Sequence, residues 1–172
     1  MITANLTAVD LGGTFTTAGL GTFNHVGGTV TLDGLLINTG STLTLNATTG
    51  SWLLNGGTIR GGTLAVTGGA QLILPFDDDG TLDGVTLDTS LTISNDYTLY
   101  VTTNGVVLNN TTITLTSSNN YTDLEFTGGG TLGGTGSVCQ RIGTKSVSFE
   151  WLGSVLTWRV AGLRSQTDGR FP

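Results

Sequence analysis

Ten carboxylates, Arg60 and His25 are the only charged or imidazole side chains in residues 1–138. Asp77-Asp78-Asp79-Gly80 is the one acidic cluster among them. Three carboxylates on a loop offer oxygen ligands for Ca²⁺, which takes about six to eight. The spacing lacks the alternating Asp and distal Glu of an EF-hand, and no nonapeptide calcium repeat is present. The cluster therefore reads as a solvated turn.

Asp83, Asp88, Asp96 and Asp123 could supply the acid and base of a polysaccharide hydrolase, which needs two carboxyls flanking one glycosidic bond. A lyase would need a base beside Arg, Lys or Ca²⁺ to hold a carbanion. The body offers Arg60 alone, no Lys, and no Gly-His-Gly element. His25 has no acidic or cysteine neighbour in sequence and reads as a packing or surface residue. Cys139, the single cysteine, excludes an intramolecular disulfide framework and has no nucleophile context. Gly-x-Ser-x-Gly, Walker, dinucleotide and zinc spacings are all missing. No catalytic, cofactor or metal residue is expected, so the chain reads as a non-enzyme.

Five Asn-x-Thr sequons, at Asn5, Asn46, Asn109, Asn110 and Asn120, are what chance gives in so Asn- and Thr-rich a chain. The Thr-x-Thr pairs Thr29/Thr31, Thr42/Thr44 and Thr112/Thr114 raise ice binding by a flat ladder. Their steps of 13 and 70 are not multiples of one repeat, which argues against it.

Short strands must position all of these residues. Apolar residues alternate with polar ones at Val30/Leu32, Leu43/Leu45, Leu64/Val66, Leu72/Leu74, Val85/Leu87 and Leu91/Ile93. Leu99/Val101, Ile113/Leu115 and Leu124/Phe126 continue the pattern, the signature of strands with one buried side. Asn38-Thr39-Gly40-Ser41, Thr67-Gly68-Gly69-Ala70 and Ser117-Ser118-Asn119-Asn120 read as turns between them. Helical periodicity is missing throughout.

A motif of the form Leu-x-Gly-x-Thr-Leu begins at Leu32, Ile59, Leu82, Leu108 and Leu132, with steps of 27, 23, 26 and 24. Leu11-Gly12-Gly13-Thr14-Phe15-Thr16 is a degenerate copy 21 residues before Leu32. Recurrence of this length marks stacked units that cannot bury their apolar side alone. A propeller blade is longer, and a left-handed β-helix needs a strict hexapeptide rhythm. Three strands per step fit an all-β, right-handed parallel β-helix (β-solenoid) of about five coils of 23–27 residues. The motif leucines should then share one inward column. An antiparallel sandwich or meander is the alternative.

Gly128-Gly129-Gly130-Thr131-Leu132-Gly133-Gly134-Thr135-Gly136-Ser137-Val138 resembles the Gly-Thr-Leu repeat of autotransporter passenger domains and filamentous-haemagglutinin-like surface proteins. Residues 57–64 and 80–87 are similar, and the resemblance covers 27–138. It implies a β-helical stalk or adhesin at a bacterial surface. An export signal and an outer-membrane translocator, both features of that family, are not recognised in this sequence.

Three regions follow: an irregular N-terminal coil or cap at 1–26, solenoid repeats at 27–138, and an atypical tail at 139–172. Residues 1–138 carry a net charge of −9 and the tail +3, within −6 for the chain. An acidic body with one arginine has no footprint for phosphates, so nucleic acid is not an expected partner. No apolar run is long enough for a membrane helix. In the tail, Val147/Phe149/Trp151 and Leu156/Trp158/Val160 alternate around Leu152-Gly153-Ser154. This fits a hairpin capping the open solenoid. The rival reading, that the open reading frame here departs from its ancestral one and leaves a tail with no evolved structure, is favoured slightly because the repeat stops in mid-coil and no Gly-Thr rhythm returns.

The expected function is structural or adhesive. Thr, Asn, Tyr100 and Tyr121 would face outward for weak multivalent contacts with glycans, proteins or further copies. Tyr97 shares the inward parity of Leu99. The expected location is extracellular or at the cell surface. A β-helical polysaccharide-active enzyme and a phage tail-fibre segment are the alternatives.

Overall fold

Alternating apolar and polar residues bury one side of each short strand, and each strand finds its partner one turn along the chain. The computed structural model describes residues 1–5, 7–76, 78–117, 121–141, 146–151 and 158–163. The first turn holds β1 (Ile2–Asn5), β2 (Val9–Leu11), β3 (Thr14–Thr16) and the short helix α1 (Thr17–Leu20), and the second opens with β4 (Phe23–Val26), the partner of β1. Then come β5 (Val30–Leu32), β6 (Leu35–Ile37) and β7 (Thr42–Leu45), followed by β8 (Trp52–Leu54), β9 (Thr58–Arg60) and β10 (Thr63–Val66). The next two turns are β11 (Leu72–Ile73), β12 (Asp78–Asp83) and β13 (Val85–Asp88), and β14 (Leu91–Ile93), β15 (Tyr97–Val101) and β16 (Val106–Leu108). The last turn is β17 (Thr112–Thr116), β18 (Thr122–Phe126) and β19 (Leu132–Gly134), and β20 (Ser137–Arg141) follows it.

The architecture is an all-β, parallel β-solenoid of about six turns. Its second face runs unbroken through β3, β6, β9, β12, β15 and β18, all parallel. The third face is β7-β10-β13-β16-β19. The first face is split into β2-β5-β8-β11 and β14-β17-β20, and β1 pairs with β4 on a small extra side. Beyond β18, β21 (Ser146–Trp151) and β22 (Trp158–Leu163) form an antiparallel hairpin, with Leu124 opposite Val160. The turn at 152–154 lies outside the described residues.

Between Val30 and Phe126, every alternating pair read from the sequence points inward except Val66, which is half-buried; the tail pairs lie outside the residues whose side chains are described. Leu32, Leu36, Leu45, Ile59, Leu82 and Leu87 are wholly buried in one continuous core. The motif leucines do not form one column, and this corrects the expected alignment. Leu32 sits on the first face between Leu11 and Leu54, and Ile59 and Leu82 pair on the second. Leu108 lies on the third face opposite Leu87. Turn length explains the slippage. Steps between register partners run from 19 residues (Leu82 to Val101) to 26 (Leu108 to Gly134), so a motif of fixed form drifts from face to face.

The cross-section narrows along the rod. Between the third and first faces, residues 46–51 and 67–71 make wide corners in the early turns. Residues 89–90, 109–111 and 135–136 make tight ones later. The wide part is filled by aromatic rings: Trp52 meets Phe23 edge-on at 5.7 Å between centroids, and His25 stacks on Phe23 at 6.3 Å. His25 is buried and donates from Nε2 to the Thr7 carbonyl, a packing role. The narrow part is filled mainly by aliphatic residues, joined by Tyr97 and Phe126.

Candidate functional site

The corner between the second and third faces carries a line of buried polar groups. Asn38, at the end of β6, is fully buried. Its amide donates to the carbonyls of Gly61 (3.3 Å) and Thr63 (3.0 Å), and its oxygen accepts from Thr17 at 2.6 Å. One side chain thus ties three turns together. Gly62 has φ +67°, and a Cβ there would strike the Asn38 and Ser41 carbonyls, so only glycine lets the next turn seat on Asn38.

Two turns on, Asp83 accepts from Arg60 Nε at 2.8 Å, Thr102 Oγ1 at 2.7 Å and Asn104 Nδ2 at 2.7 Å. Arg60 and Asp83 are register partners, so the pair follows from strand stacking. Burial pushes the Asp83 carboxyl up. Hydrogen bonds from Thr102, Asn104 and Arg60, with the Arg60 charge, outweigh that and hold it below the ordinary range. An acid so committed is a poor proton donor near neutrality.

The other carboxylates considered for hydrolysis are dispersed. Asp123 sits opposite Thr98, two strands from Asp83 and four residues away along the strand. Strand geometry puts their Cα atoms ~16 Å apart. Asp88 is on the third face, where it accepts from Asn109 at 2.9 Å. Asp96 occupies a corner at φ +58°. These four acids do not meet at one site.

The acidic cluster differs from the turn read in the sequence. Asp78 and Asp79 are in β12, opposite Tyr97 and Thr98, and Asp77 lies outside the described residues. Long β15 supplies the template that draws them into the ladder. Among the described residues, no three His, Cys, Asp or Glu side chains converge as metal ligands. Asp79 accepts from the Thr98 amide at 3.2 Å. Burial, then the Asp79, Glu125 and Asp123 charges, push the nearby Tyr100 phenol up, so this patch is electronegative.

Outward rows are mostly uncharged elsewhere. Thr42, Thr63 and Thr86 align on the third face, and Thr92, Thr114 and exposed Cys139 on the first. The Thr31, Thr42/Thr44 and Thr112/Thr114 positions fall on three different sheets, so they make no common ladder. Tyr121 is exposed, Tyr100 half-buried and Tyr97 buried.

The one groove described lies where the first face splits. It measures about 380 Å³ and opens between β11 and β14. Buried Ala70, Leu72 and Leu74 line it on one side, with Ser90, Thr92 and Ser94 on the other. Val66 also reaches it, which accounts for that residue's partial exposure. The two strands hold corresponding places in successive turns, yet most Cα pairs between them exceed 8 Å. The change from a five-residue to a two-residue corner displaces one strand from the other.

Comparison with known protein families, with curated proteins and with solved structures finds nothing that matches this chain. The functional reading rests on the residues themselves.

The sequence pattern missed Asn38, Asp83 as a saturated acceptor, and the groove. Asn38 opens a stretch, Asn38-Thr39-Gly40-Ser41, whose composition alone spells a turn. Counting corner residues turn by turn is the signal that would have revealed the groove.

Proposed function

We propose that this chain is a non-enzymatic structural and adhesive module displayed outside the cell or at its surface. Its job is to hold polar faces on a stiff rod. The observation that carries the reading is the disposition of its charges. Asp83 is committed to three donors, while Asp88, Asp96 and Asp123 lie apart from it. Short threonine rows run along the third face and the later part of the first. Uncharged hydroxyls at strand spacing make weak contacts singly and useful ones in number. Among the described residues no helix is long and apolar enough to cross a membrane.

The test is a binding screen of the chain, immobilised at high density, against glycan arrays and intact cells, run beside a depolymerisation assay on the same polysaccharides. Saturable binding that weakens sharply at low display density, without chain shortening, is the expected result. Polysaccharide cleavage that disappears in Asp83→Asn or Asp123→Asn would overturn the reading.

A further inference from the structure

We infer that the groove between β11 and β14 accepts an extended, uncharged polypeptide segment, which inserts as an extra strand and completes the first face. The argument is independent of whether the outer faces are adhesive.

It starts from the backbone. Trp52 donates its amide to the Gln71 carbonyl at 3.0 Å, so Gln71 and, by alternation along a parallel ladder, Ile73 are turned toward β8. Leu72 and Leu74 therefore direct their N–H and C=O groups the other way, into the groove. Among the described residues, no strand pairs with β11 on that side, and β14 pairs only with β17. The two edges run in the same direction.

Neighbouring strands lie ~4.8 Å apart, so a gap that holds one more strand spans ~9.6 Å. Most Cα pairs between β11 and β14 lie more than 8 Å apart and the two strands share no ladder, which leaves their facing edges open to an intervening backbone. An extended peptide is the chemistry that offers donors and acceptors to both edges at once, as in other cases of strand addition.

The lining selects the side chains. None of the described residues lining the groove is charged, although the chain carries a net −6. An inserted strand would turn alternate side chains toward Ala70, Leu72 and Leu74, where a charge would be desolvated without a partner. Small apolar residues fit inward, and threonine or serine outward beside Thr92.

The test uses the full chain and a blocked peptide of alternating valine and threonine, with its backbone N-methylated twin as control. Hydrogen exchange of the Leu72 and Leu74 amides is read by NMR. The unmethylated peptide should slow both by about tenfold or more at saturation, and the N-methylated peptide should have no effect. Thr89→Trp, which narrows the groove from its rim, should remove the protection. The inference fails if neither peptide protects these amides, if both do so equally, or if a neutral oligosaccharide protects them and the peptide does not. The first comparison needs no substitution, so a misfolded variant cannot obscure it.

Discussion

The hydroxyl of Tyr97 donates to the carbonyl of Leu54, 43 positions earlier, at 2.9 Å inside the core. Register explains the contact. Leu53 is opposite Ile73, so the ladder donor due to the Leu54 carbonyl is residue 75, which is proline and has no N–H. Tyr97 reaches back two turns, across the one between, to supply the missing hydrogen. It passes Gly80, where any Cβ would strike the Tyr97 hydroxyl and the Leu54 side chain. Pro75, Gly80 and Tyr97 thus form one device beside the split in the first face.

Tyr97→Phe should cost about 1–3 kcal/mol, because the Leu54 carbonyl loses its partner while remaining buried. Gly80→Ala should cost at least as much, and the double variant less than the sum, since one clash goes with the hydroxyl. Urea titration of the four proteins checks this, and strict additivity would contradict it. Burial, then Asp78 and Asp79, push the Tyr97 phenol far up. Its contribution is intact below the unfolded value of about 10 and is lost as pH rises from there toward the folded value.

Asp83 gives the opposite dependence. Its folded carboxyl is held low, so its stabilisation is present above the unfolded value of about 3.9 and lost as pH falls through the folded one. Asp83→Asn should be less stable than the parent at neutral pH, and the gap should shrink in acid. Thermal melts across pH 2 to 7 check this; a gap that stays constant would contradict it.

Asn38→Asp keeps the shape but removes the two N–H donors. The Gly61 and Thr63 carbonyls then face a carboxylate, at a cost of about 1–3 kcal/mol for each buried group left unpaired. Asn38→Ala should be similarly harmful. A melting temperature unchanged in either variant would show that the corner is hydrated and not tied.

Truncation after residue 141 removes the hairpin that pairs with β18 and leaves that edge open. The far-ultraviolet β signal should persist, while self-association should increase, because an unpaired edge is a template for another chain. Sedimentation velocity reads this directly. A truncated chain as monomeric as the parent would deny the hairpin a protective role.

Period-two alternation disclosed the buried columns, and Leu11 with Leu32 and Ile59 with Leu82 are true register partners seen as repeats. The motif failed as a guide to phase because corners and strands both vary in length from turn to turn. Leu32 and Ile59 look equivalent in sequence yet lie on different faces. Asn38 and Asp83 were hard to read for another reason. Their partners come from neighbouring turns at separations of 19 to 25 residues, and no local pattern encodes such contacts. Pro75 and Gly80 were visible, but their meaning needs the register that makes Tyr97 their neighbour.

The most direct test of a rod that is continuous on its second and third faces and interrupted on its first is a set of three engineered disulfides in a Cys139→Ser background. Leu53→Cys with Ile73→Cys, and Thr92→Cys with Thr114→Cys, join outward register partners. Strand neighbours at ~4.8 Å suit a disulfide. Ile73→Cys with Thr92→Cys spans the split. Air oxidation followed by mass spectrometry should show the first two bonds and not the third. Ready formation of the Ile73–Thr92 bond would show a closed sheet and contradict both the split and the strand-accepting groove.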